Sequence, residues 1–204
     1  SSEEIERISK FNIKKFKKNI FSIDSYKYEV IKYALENGYN MINDITAGGL
    51  NNENLELAKD FNVPIVLMHM QGNPKSMQLN PRYDDLISDL MLFFDNKINC
   101  CINLGIPFKN IIIDPGIGFG KSIDHNFEII RRLSEFKRLN VKILIGISRK
   151  SFLQVDNDKP EDRLSTSLSA MSIAVNNGAD IVRVHDVYST FKALNIIDRI
   201  KNQS

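Results

Sequence analysis

Four polar side chains stand at or near the ends of apolar stretches, and their types suit the binding of a heterocycle. They are Asp24, Asn43, Asp114 and Lys150. Carboxylate and amide oxygens accept hydrogen bonds from a ligand rich in N–H groups, such as the aminopyrimidinone edge of a pterin or purine, and a lysine donates to its ring carbonyl. Each residue taken singly also fits a helix cap, but the four together indicate one ligand pocket.

Asp114 lies in the most informative stretch of the chain. Residues 111–113 are three consecutive isoleucines, a run typical of a buried strand in a parallel sheet, and Pro115 prevents the strand from continuing. Ser122 is expected to cap the helix that follows. Lys121 makes a phosphate cradle conceivable, but the spacing of the glycines is not that of a Walker loop. The carboxylate is therefore expected to serve another ligand.

A second pair of candidate residues, Arg183 and His185, is spaced i, i+2 near the end of the last predicted strand. At this spacing both side chains point to the same side of a strand. An arginine beside a histidine suits a phosphate or pyrophosphate. The alternative is that Arg183 forms an ion pair with Asp180 or Asp186 while His185 is solvated.

The remaining residues that often do chemistry show weaker patterns. His69 ends a predicted strand and is equally compatible with a core position, while His125 is expected in the first turn of a helix. No histidine pair has zinc spacing, and no serine lies in a recognisable nucleophile elbow, so acyl transfer is disfavoured. Cys100 and Cys101 are adjacent within a helical pattern, which indicates free thiols and a cytoplasmic protein.

Composition is that of one ordinary globular domain with a small-molecule partner. The chain has 204 residues, is 43% hydrophobic, and balances 27 Lys and Arg against 25 Asp and Glu. This balance, without a concentrated basic stripe, predicts neither a nucleic-acid nor a membrane partner. No stretch has transmembrane length and no signal peptide is visible. Because the first residue is not Met, we expect an N-terminal part to be missing from the chain.

Strand and helix patterns alternate six times along the sequence. The predicted strands cover residues 21–24, 41–45, 63–68, 110–114, 141–147 and 180–184, and the main predicted helices cover 3–17, 52–61, 82–104, 123–138 and 163–176, with others ending near 37 and 201. Residues 70–78 form a long polar loop, a candidate binding lid. Polar residues at the ends of several strands favour a (β/α)8 barrel over an open doubly wound sheet, although eight units need about 250 residues.

Six segments of the chain resemble, in order, the motifs of dihydropteroate synthases. These are residues 22–27, 42–45, 68–74, 114–121, 146–151 and 183–187, with Asp-Pro-Gly, Ser-Arg-Lys and Arg-Val-His-Asp-Val as their most specific parts. The resemblance implies a TIM-type (β/α)8 barrel, of which strands three to eight are present. It also implies that residues 1–204 form a single pterin-binding domain that is N-terminally incomplete. One departure is Ser25, where the family usually has Thr.

The family resemblance also implies an activity and a set of roles. The enzyme would condense 6-hydroxymethyl-7,8-dihydropterin pyrophosphate with p-aminobenzoate, with Mg²⁺ on the leaving group, and would be a cytoplasmic homodimer and a sulfonamide target. The implied pterin-binding residues are Asp24, Asn43, Asp114 and Lys150; those at the p-aminobenzoate site are Phe119, Lys150 and Ser151; those for pyrophosphate are Arg183 and His185. Asp24, Asp114, Lys150, Arg183 and His185 would act in catalysis. The metal ligand is expected in the absent first strand and not in this chain.

Two other functions fit part of this pattern. A methyltetrahydrofolate methyltransferase would share the barrel and the pterin-facing carboxylates, but it needs no pyrophosphate site, which Arg183 and His185 indicate. A pterin-binding module without catalysis would need no further strands.

Overall fold

The computed structural model describes residues 2–11, 13–16, 18–49, 51–72, 77 and 81–201. Its strands are β1 (Ser22–Asp24), β2 (Met41–Asp44), β3 (Ile65–Met68), β4 (Ile111–Asp114), β5 (Lys142–Ile145) and β6 (Ile181–Val182). Its α-helices are α1 (Ser2–Ser9), α2 (Tyr28–Glu36), α3 (Glu53–Asp60), α4 (Leu86–Leu104), α5 (Ile123–Arg131), α6 (Leu164–Asn176) and α7 (Val187–Lys201). Short 3-10 helices cover Ile13–Lys15, Phe108–Asn110, Leu133–Leu139, Ser151–Leu153 and Pro160–Asp162. The α/β prediction is confirmed.

The chain divides into two compact units. The first holds residues 1–69 and 92–113, and the second holds 70–91 and 114–204. In the first unit the strands follow the order β1-β2-β3-β4, with β1 parallel to β2 and β2 parallel to β3. In the second unit β5 is parallel to β6. The single-domain organisation and the closed eight-stranded barrel remain predictions.

The neighbouring strands β3 and β4 are buried along their whole length. All four residues of β3 and all four of β4 are buried. Parallel strands that are covered on both faces have such continuous apolar sequences. The prediction of a buried strand before Asp114 is therefore confirmed.

The N-terminal helix is shorter than the predicted span of 3–17 and ends at Ser9. The rings of Phe11 and Phe16 stack with centroids 5.9 Å apart, and Phe21 lies 5.9 Å and 6.1 Å from them. Aromatic rings attract one another at such separations, and gathering these three requires the chain to turn after α1. The near-helical spacing of the phenylalanines reflected this cluster and not a longer helix.

The helix predicted over 123–138 is also interrupted. Helix α5 ends at Arg131, and a 3-10 helix continues from Leu133 to Leu139. In a 3-10 helix side chains three residues apart lie on one line. Leu133 and Phe136 have this spacing and are both fully buried, so the tighter helix brings them to the core together.

Other boundaries move by a few residues. Helix α4, predicted from residue 82, begins at Leu86 because the Asp85 carboxylate accepts a 2.7 Å hydrogen bond from the N–H of Ser88, as an N-cap does. Strand β6 ends at Val182, so Arg183 and His185 follow the strand and do not lie on it. Most of the polar loop predicted as a lid, residues 73–76 and 78, lies outside the described residues.

The helices that lead into β2, β3, β4, β5 and β6 share one kind of ending. Each is followed by a residue with positive φ, which is Gly38, Asn62, Gly105, Asn140 or Gly178, and then by a short link to the next strand. Glycine and asparagine are the residues that adopt this left-handed conformation most readily. Within the described ranges, no helix has the length and apolar character needed to cross a lipid bilayer.

Candidate active site

Asp114, the last residue of β4, is a buried carboxyl in the second unit, with 3% of its surface exposed. Its Oδ1 accepts a 2.8 Å hydrogen bond from the N–H of Gly116, because the turn at Pro115 folds the chain back. Burial raises the pKa of Asp114, while this hydrogen bond and the positive charges of Lys150, Arg183 and Lys121 act in the opposite direction. The second unit thus presents one buried acceptor to three cationic side chains.

Lys150 follows β5 and reaches back over the loop after Asp114. Its ammonium group donates to the carbonyl oxygen of Ile117 and lies 4.6 Å from the centroid of the Phe119 ring, a cation–π contact. Burial lowers the pKa of Lys150 to about 8; the charge of Asp114 opposes this shift and that of Arg183 adds to it. The lysine is therefore a hydrogen-bond donor that is easily deprotonated.

Lys121 is the most buried cation of this group, with 2% of its surface exposed. Its Nζ donates a 3.0 Å hydrogen bond to the carbonyl of Phe119. Burial lowers its pKa to about 7, partly opposed by Asp114 and reinforced by Lys150. The sequence analysis considered Lys121 only as part of a phosphate cradle; the structure shows it sharing the surroundings of Asp114.

Arg183 and His185 follow β6 and contact the segment after β5. The guanidinium of Arg183 lies against Gly146, where an added Cβ would be 3.3 Å from its Nη2. His185 Nδ1 is 3.0 Å from the hydroxyl oxygen of Ser148. Asp180 and Asp186, the alternative partners considered for Arg183, bind other groups.

Asp180 accepts a hydrogen bond from the N–H of Ile143, 2.9 Å away, and Asp186 binds Arg149. The structure therefore shows other partners for the two carboxylates that the alternative assigned to Arg183.

A cavity of about 410 Å³ opens in the second unit, and Lys121 and Lys150, two of the cations that act on Asp114, line it. Its lining includes the three residues predicted for p-aminobenzoate, which are Phe119, Lys150 and Ser151, together with Met77, Gly118, Lys121, Ser122, Ile123, Asn126 and Phe152. Two aromatic rings, two amines and two hydroxyls around one opening suit a flat, anionic ligand. The predicted p-aminobenzoate residues are thus brought together, while their role remains a prediction.

Ser122 and Asn126 hold the rim of this cavity in place. The Ser122 hydroxyl accepts a 3.1 Å hydrogen bond from the N–H of His125, whose ring accepts one from the N–H of Ser122, forming a capping box at the start of α5. Asn126 accepts from the N–H of Gly118 at 2.7 Å and donates to the carbonyl of Ser122 at 2.7 Å. The predicted cap and the first-turn position of His125 are confirmed.

Asp24 and Asn43 lie in the first unit as register partners on β1 and β2. Partners on parallel strands point to the same face, so the two side chains are neighbours. Asn43 is 6% exposed, whereas Asp24 is exposed. The next residue, Asp44, is completely buried and accepts hydrogen bonds from Thr46 N, Thr46 Oγ1, Gly48 N and Asn54 Nδ2 at 2.7, 2.6, 3.0 and 2.9 Å. Asp44 therefore shapes the loop after Asn43.

The remaining candidates are structural. His69 is 9% exposed and its ring meets that of Phe93 edge-on, with centroids 4.8 Å apart, as expected of a core histidine. Cys100 and Cys101 are free thiols in α4, as predicted. Among the residues that the structure describes, no group of three or more His, Cys, Asp and Glu side chains is arranged to hold a metal ion.

Comparison with known families identifies the fold around these residues. Residues 1–185 match the family described as pterin binding enzyme. The chain belongs to the pterin-binding enzymes. It is 42% identical over 178 residues to the dihydropteroate synthase of Escherichia coli (strain K12), covering 87% of this chain and 63% of that relative. It is equally similar, 42% over 177 residues, to that of Haemophilus influenzae, covering 86% and 64%. This pterin-binding enzyme therefore spans less than two thirds of the length of these curated relatives.

Solved structures of dihydropteroate synthases match nearly the whole chain. The Yersinia pestis enzyme in complex with a sulfonamide drug superposes with a TM-score of 0.91 at 36% identity, covering 98% of this chain and 72% of that one. The Xanthomonas albilineans enzyme with 4-aminobenzoic acid gives a TM-score of 0.85 at 32% identity, covering 98% and 70%. The same enzyme with 7,8-dihydropteroate gives 0.83 at 34% identity, covering 91% and 68%. The resemblance to dihydropteroate synthases is confirmed.

Sequence reasoning missed two residues of this pterin-binding enzyme's site. Lys121 was considered only for a phosphate cradle, which the glycine spacing does not favour, and Asn126 was not considered as a site residue. Asn126 is 2% exposed, but its neighbours Asp124, His125 and Glu128 are also polar, so the sequence alone does not mark it as buried.

Proposed function

We propose that this chain forms the pterin-binding part of a dihydropteroate synthase. The reaction joins 6-hydroxymethyl-7,8-dihydropterin pyrophosphate to p-aminobenzoate and gives 7,8-dihydropteroate and pyrophosphate. The amine electron pair forms the new C–N bond at the pterin methylene, the C–O bond breaks with its electrons going to pyrophosphate, and the amine releases a proton. The observation that carries the proposal is the buried Asp114 carboxyl, set among cationic side chains beside the cavity of Phe119, Lys150 and Ser151.

Asp114 and Lys150 are assigned to the pterin. The carboxyl accepts hydrogen bonds from ring N–H groups and balances positive charge that spreads into the ring as the C–O bond weakens. The Lys150 ammonium donates to the ring carbonyl, in place of its present partner, the Ile117 carbonyl. Asp24 and Asn43 are predicted to accept further pterin hydrogen bonds, and an Asn43→Ala variant with unchanged pterin affinity would contradict that assignment.

Arg183 and His185 are assigned to the leaving group. Negative charge grows on the pyrophosphate as the C–O bond breaks, and hydrogen-bond donors placed at that point stabilise the transition state more than the bound substrate. Phe119 and Ser151 are assigned to p-aminobenzoate, with the ring of Phe119 as an apolar wall and the Ser151 hydroxyl as a donor to the carboxylate.

The decisive experiment compares Arg183→Ala with Arg131→Ala in the full-length protein. Arg131 is an exposed arginine in the last turn of α5 and serves as the control for loss of one positive charge. We expect Arg183→Ala to lower dihydropteroate formation by about 10²- to 10³-fold, the effect of removing one transition-state donor, and Arg131→Ala to leave it unchanged. Calorimetry should show weaker binding of the pterin pyrophosphate but nearly unchanged binding of the pterin without pyrophosphate.

Other outcomes distinguish the competing functions. Equal losses of both pterin affinities in Arg183→Ala would assign Arg183 to the structure of the second unit and not to the leaving group. Pterin binding without product formation by the wild-type protein would indicate a binding module. Transfer of a methyl group from methyltetrahydrofolate would indicate a methyltransferase.

We also propose that Mg²⁺ accompanies the pyrophosphate. The described residues provide no metal cluster of their own, so no step is assigned to the ion. Calorimetric titration of pyrophosphate with and without Mg²⁺ tests this. A cytoplasmic location, sulfonamide binding at the p-aminobenzoate site and closure of the sheet as a (β/α)8 barrel are proposed on the family match and on the structural superpositions.

A homodimer is proposed as well, and an apolar groove in the second unit supports it. The groove has a volume of about 340 Å³ and lies between α5 and α6. Phe127, Val155 and Ile173 line it and are each about half exposed, at 49%, 53% and 53%. Exposed apolar surface of this kind is typical of protein interfaces. Ile173→Asp should shift the sedimentation of the protein from dimer to monomer, and an unchanged dimer would place the interface elsewhere.

A further inference from the structure

Arg149, the residue before Lys150, has an unusual backbone conformation, and its N–H, carbonyl and guanidinium groups are all hydrogen-bonded. Its φ is +60°, in the left-handed region that residues with a Cβ rarely adopt. Its N–H donates to the Ser167 hydroxyl at 2.9 Å, and its carbonyl accepts from Arg163 Nη1 at 3.1 Å. Its own guanidinium binds the Asp186 carboxylate through Nε at 3.0 Å and Nη2 at 2.6 Å. Such conformations persist only where the surroundings enforce them.

A second contact joins the same two segments of the chain. The N–H and Nδ1 of His185 lie 3.3 Å and 3.0 Å from the Ser148 hydroxyl oxygen. Residues 148–149, which lead into Lys150, are therefore tied to residues 185–186 at two consecutive positions. These two contacts fix the segment that carries Arg183 and His185, the residues assigned to pyrophosphate, relative to Lys150.

Arg163 supports Arg149 from the buried side. It is 6% exposed, and its guanidinium donates to the carbonyls of Arg149 and Asp158 and to the side-chain oxygen of Gln154. These acceptors are neutral, and a buried charged group is retained only where such hydrogen bonds offset its desolvation. Arg163 therefore braces the carbonyl of Arg149 and the loop that follows it.

We propose that Arg149 and Asp186 are positioning residues whose bidentate ion pair sets the location of the Lys150 amine in the cavity. The proposal rests on the proposed function, since Lys150 is a substrate-binding residue there. A lysine side chain is long and flexible, so its amine is confined only if its backbone is fixed. Left-handed backbone at position 149 turns the chain so that Lys150 points back over Ile117 and Phe119. Without the pair, Arg149 relaxes to an ordinary conformation and the amine leaves the cavity.

The pair is placed to act on function more than on folding. The side chains of Arg149 and Asp186 are 32% and 22% exposed, and ion pairs with this degree of exposure contribute little to the free energy of unfolding. A displacement of about 1 Å at a substrate-positioning group, by contrast, lowers turnover by up to about 100-fold. Loss of the ion pair should therefore lower turnover while leaving the free energy of unfolding nearly unchanged.

The test is Asp186→Asn in the full-length protein, with Glu135→Gln as the matched control. Glu135 binds Arg132 at 2.6 Å and the two side chains are 33% and 32% exposed, so this pair resembles the other in geometry and exposure but lies away from the cavity. We expect Asp186→Asn to lower kcat/KM for p-aminobenzoate by about 10- to 100-fold. Glu135→Gln should leave it unchanged, and neither variant should shift the urea midpoint appreciably.

A second readout follows the Lys150 amine directly. Its pKa, lowered to about 8 by burial, is obtained from the pH dependence of its acetylation by acetic anhydride, which transfers an acetyl group to the neutral amine and releases acetate, read by mass spectrometry. Asp114, Lys121 and Arg183 are the charged groups that act on it, and all three stay in the variant. In Asp186→Asn the pKa should rise towards the ordinary 10.5 as the amine reaches solvent.

Each result decides between the proposal and its rivals. Arg149→Met combined with Asp186→Asn should reduce kcat/KM no further than either change alone, because both remove the same interaction. A pKa of Lys150 that stays near the wild-type value in Asp186→Asn would overturn the positioning role. If the wild-type protein makes no dihydropteroate, the proposed function fails, while the acylation experiment still decides whether the ion pair places the amine.

Discussion

Gly120 allows the loop after Asp114 to approach residue 71 more closely than any side chain would permit. Its φ is +66°, and a Cβ built there would lie 2.5 Å from the carbonyl oxygen of Gln71 and 2.8 Å from its Cβ. Gln71 has little room to withdraw, since its amide exchanges two hydrogen bonds with the backbone of Arg82, at 2.6 Å and 3.1 Å. The hydroxyl of Tyr83 also donates to the carbonyl of Gly120 at 2.7 Å.

Gly120→Ala should therefore lower the free energy of unfolding by about 2–4 kcal/mol. Left-handed backbone costs a residue with a Cβ about 1–2 kcal/mol, and forcing a methyl group into a packed contact costs about 1–3 kcal/mol. The reduced freedom of the unfolded chain returns about 0.4–1 kcal/mol. The clash is the larger contribution because the nearest atoms belong to the backbone and not to a flexible side chain.

Urea denaturation followed by circular dichroism measures this difference, with Gly105→Ala as the control. Gly105 has a φ of +90°, but nothing lies within 4 Å of its added Cβ, so that variant bears the conformational cost alone, about 1 kcal/mol. Equal losses in the two variants would refute the close approach of Gly120 to Gln71. An unchanged m value is needed for the comparison, since it shows that both variants unfold to the same extent.

Three further predictions concern the same loop. Asp114→Asn should weaken pterin binding by about 1–3 kcal/mol, because it removes a charged acceptor from a desolvated place, and unchanged affinity in calorimetry would contradict the assignment. Ser122→Ala should cost about 1 kcal/mol in urea denaturation by removing the cap of α5, and a stability equal to wild type would show that the cap contributes nothing. Because burial lowers the pKa of Lys121 from 10.5 to about 7, the unfolded chain binds more protons between these values, so stability should rise by about 2 kcal/mol from about pH 7 to about pH 9. Lys121→Met should remove most of that rise.

The strands could be predicted from sequence because their signal is local. Runs such as Ile111–Ile113 have no amphipathic alternative, and the Pro115 that follows fixes where the strand ends. The cap at Ser122 was predictable for the same reason, since it depends on residues three positions apart. The position of Asp114 at the end of β4 followed from these elements.

What could not be predicted depends on contacts between distant parts of the sequence. The partner of Asp186 is Arg149, and nothing local distinguishes it from Arg183 as a partner for that carboxylate. Phe11 and Phe16 have near-helical spacing in the sequence, but their rings stack in a cluster that forms after the helix has ended. The depressed pKa of Lys121 arises from burial, which a lysine after a glycine-rich loop gives no reason to expect.

The repeated helix endings have a consequence for how this protein can diverge. Helices that lead into strands stop at a glycine or asparagine such as Gly38, Asn62 or Asn140, so the loops at that end are set by backbone sterics. The residues proposed to bind the ligands lie at the ends of strands or in the loops that follow them, as do Asp114 and Lys150. Selection can therefore alter ligand preference at one end without disturbing the stop signals at the other. This separation makes the scaffold evolvable, because substitutions that change ligand specificity and substitutions that impair folding occur at different residues.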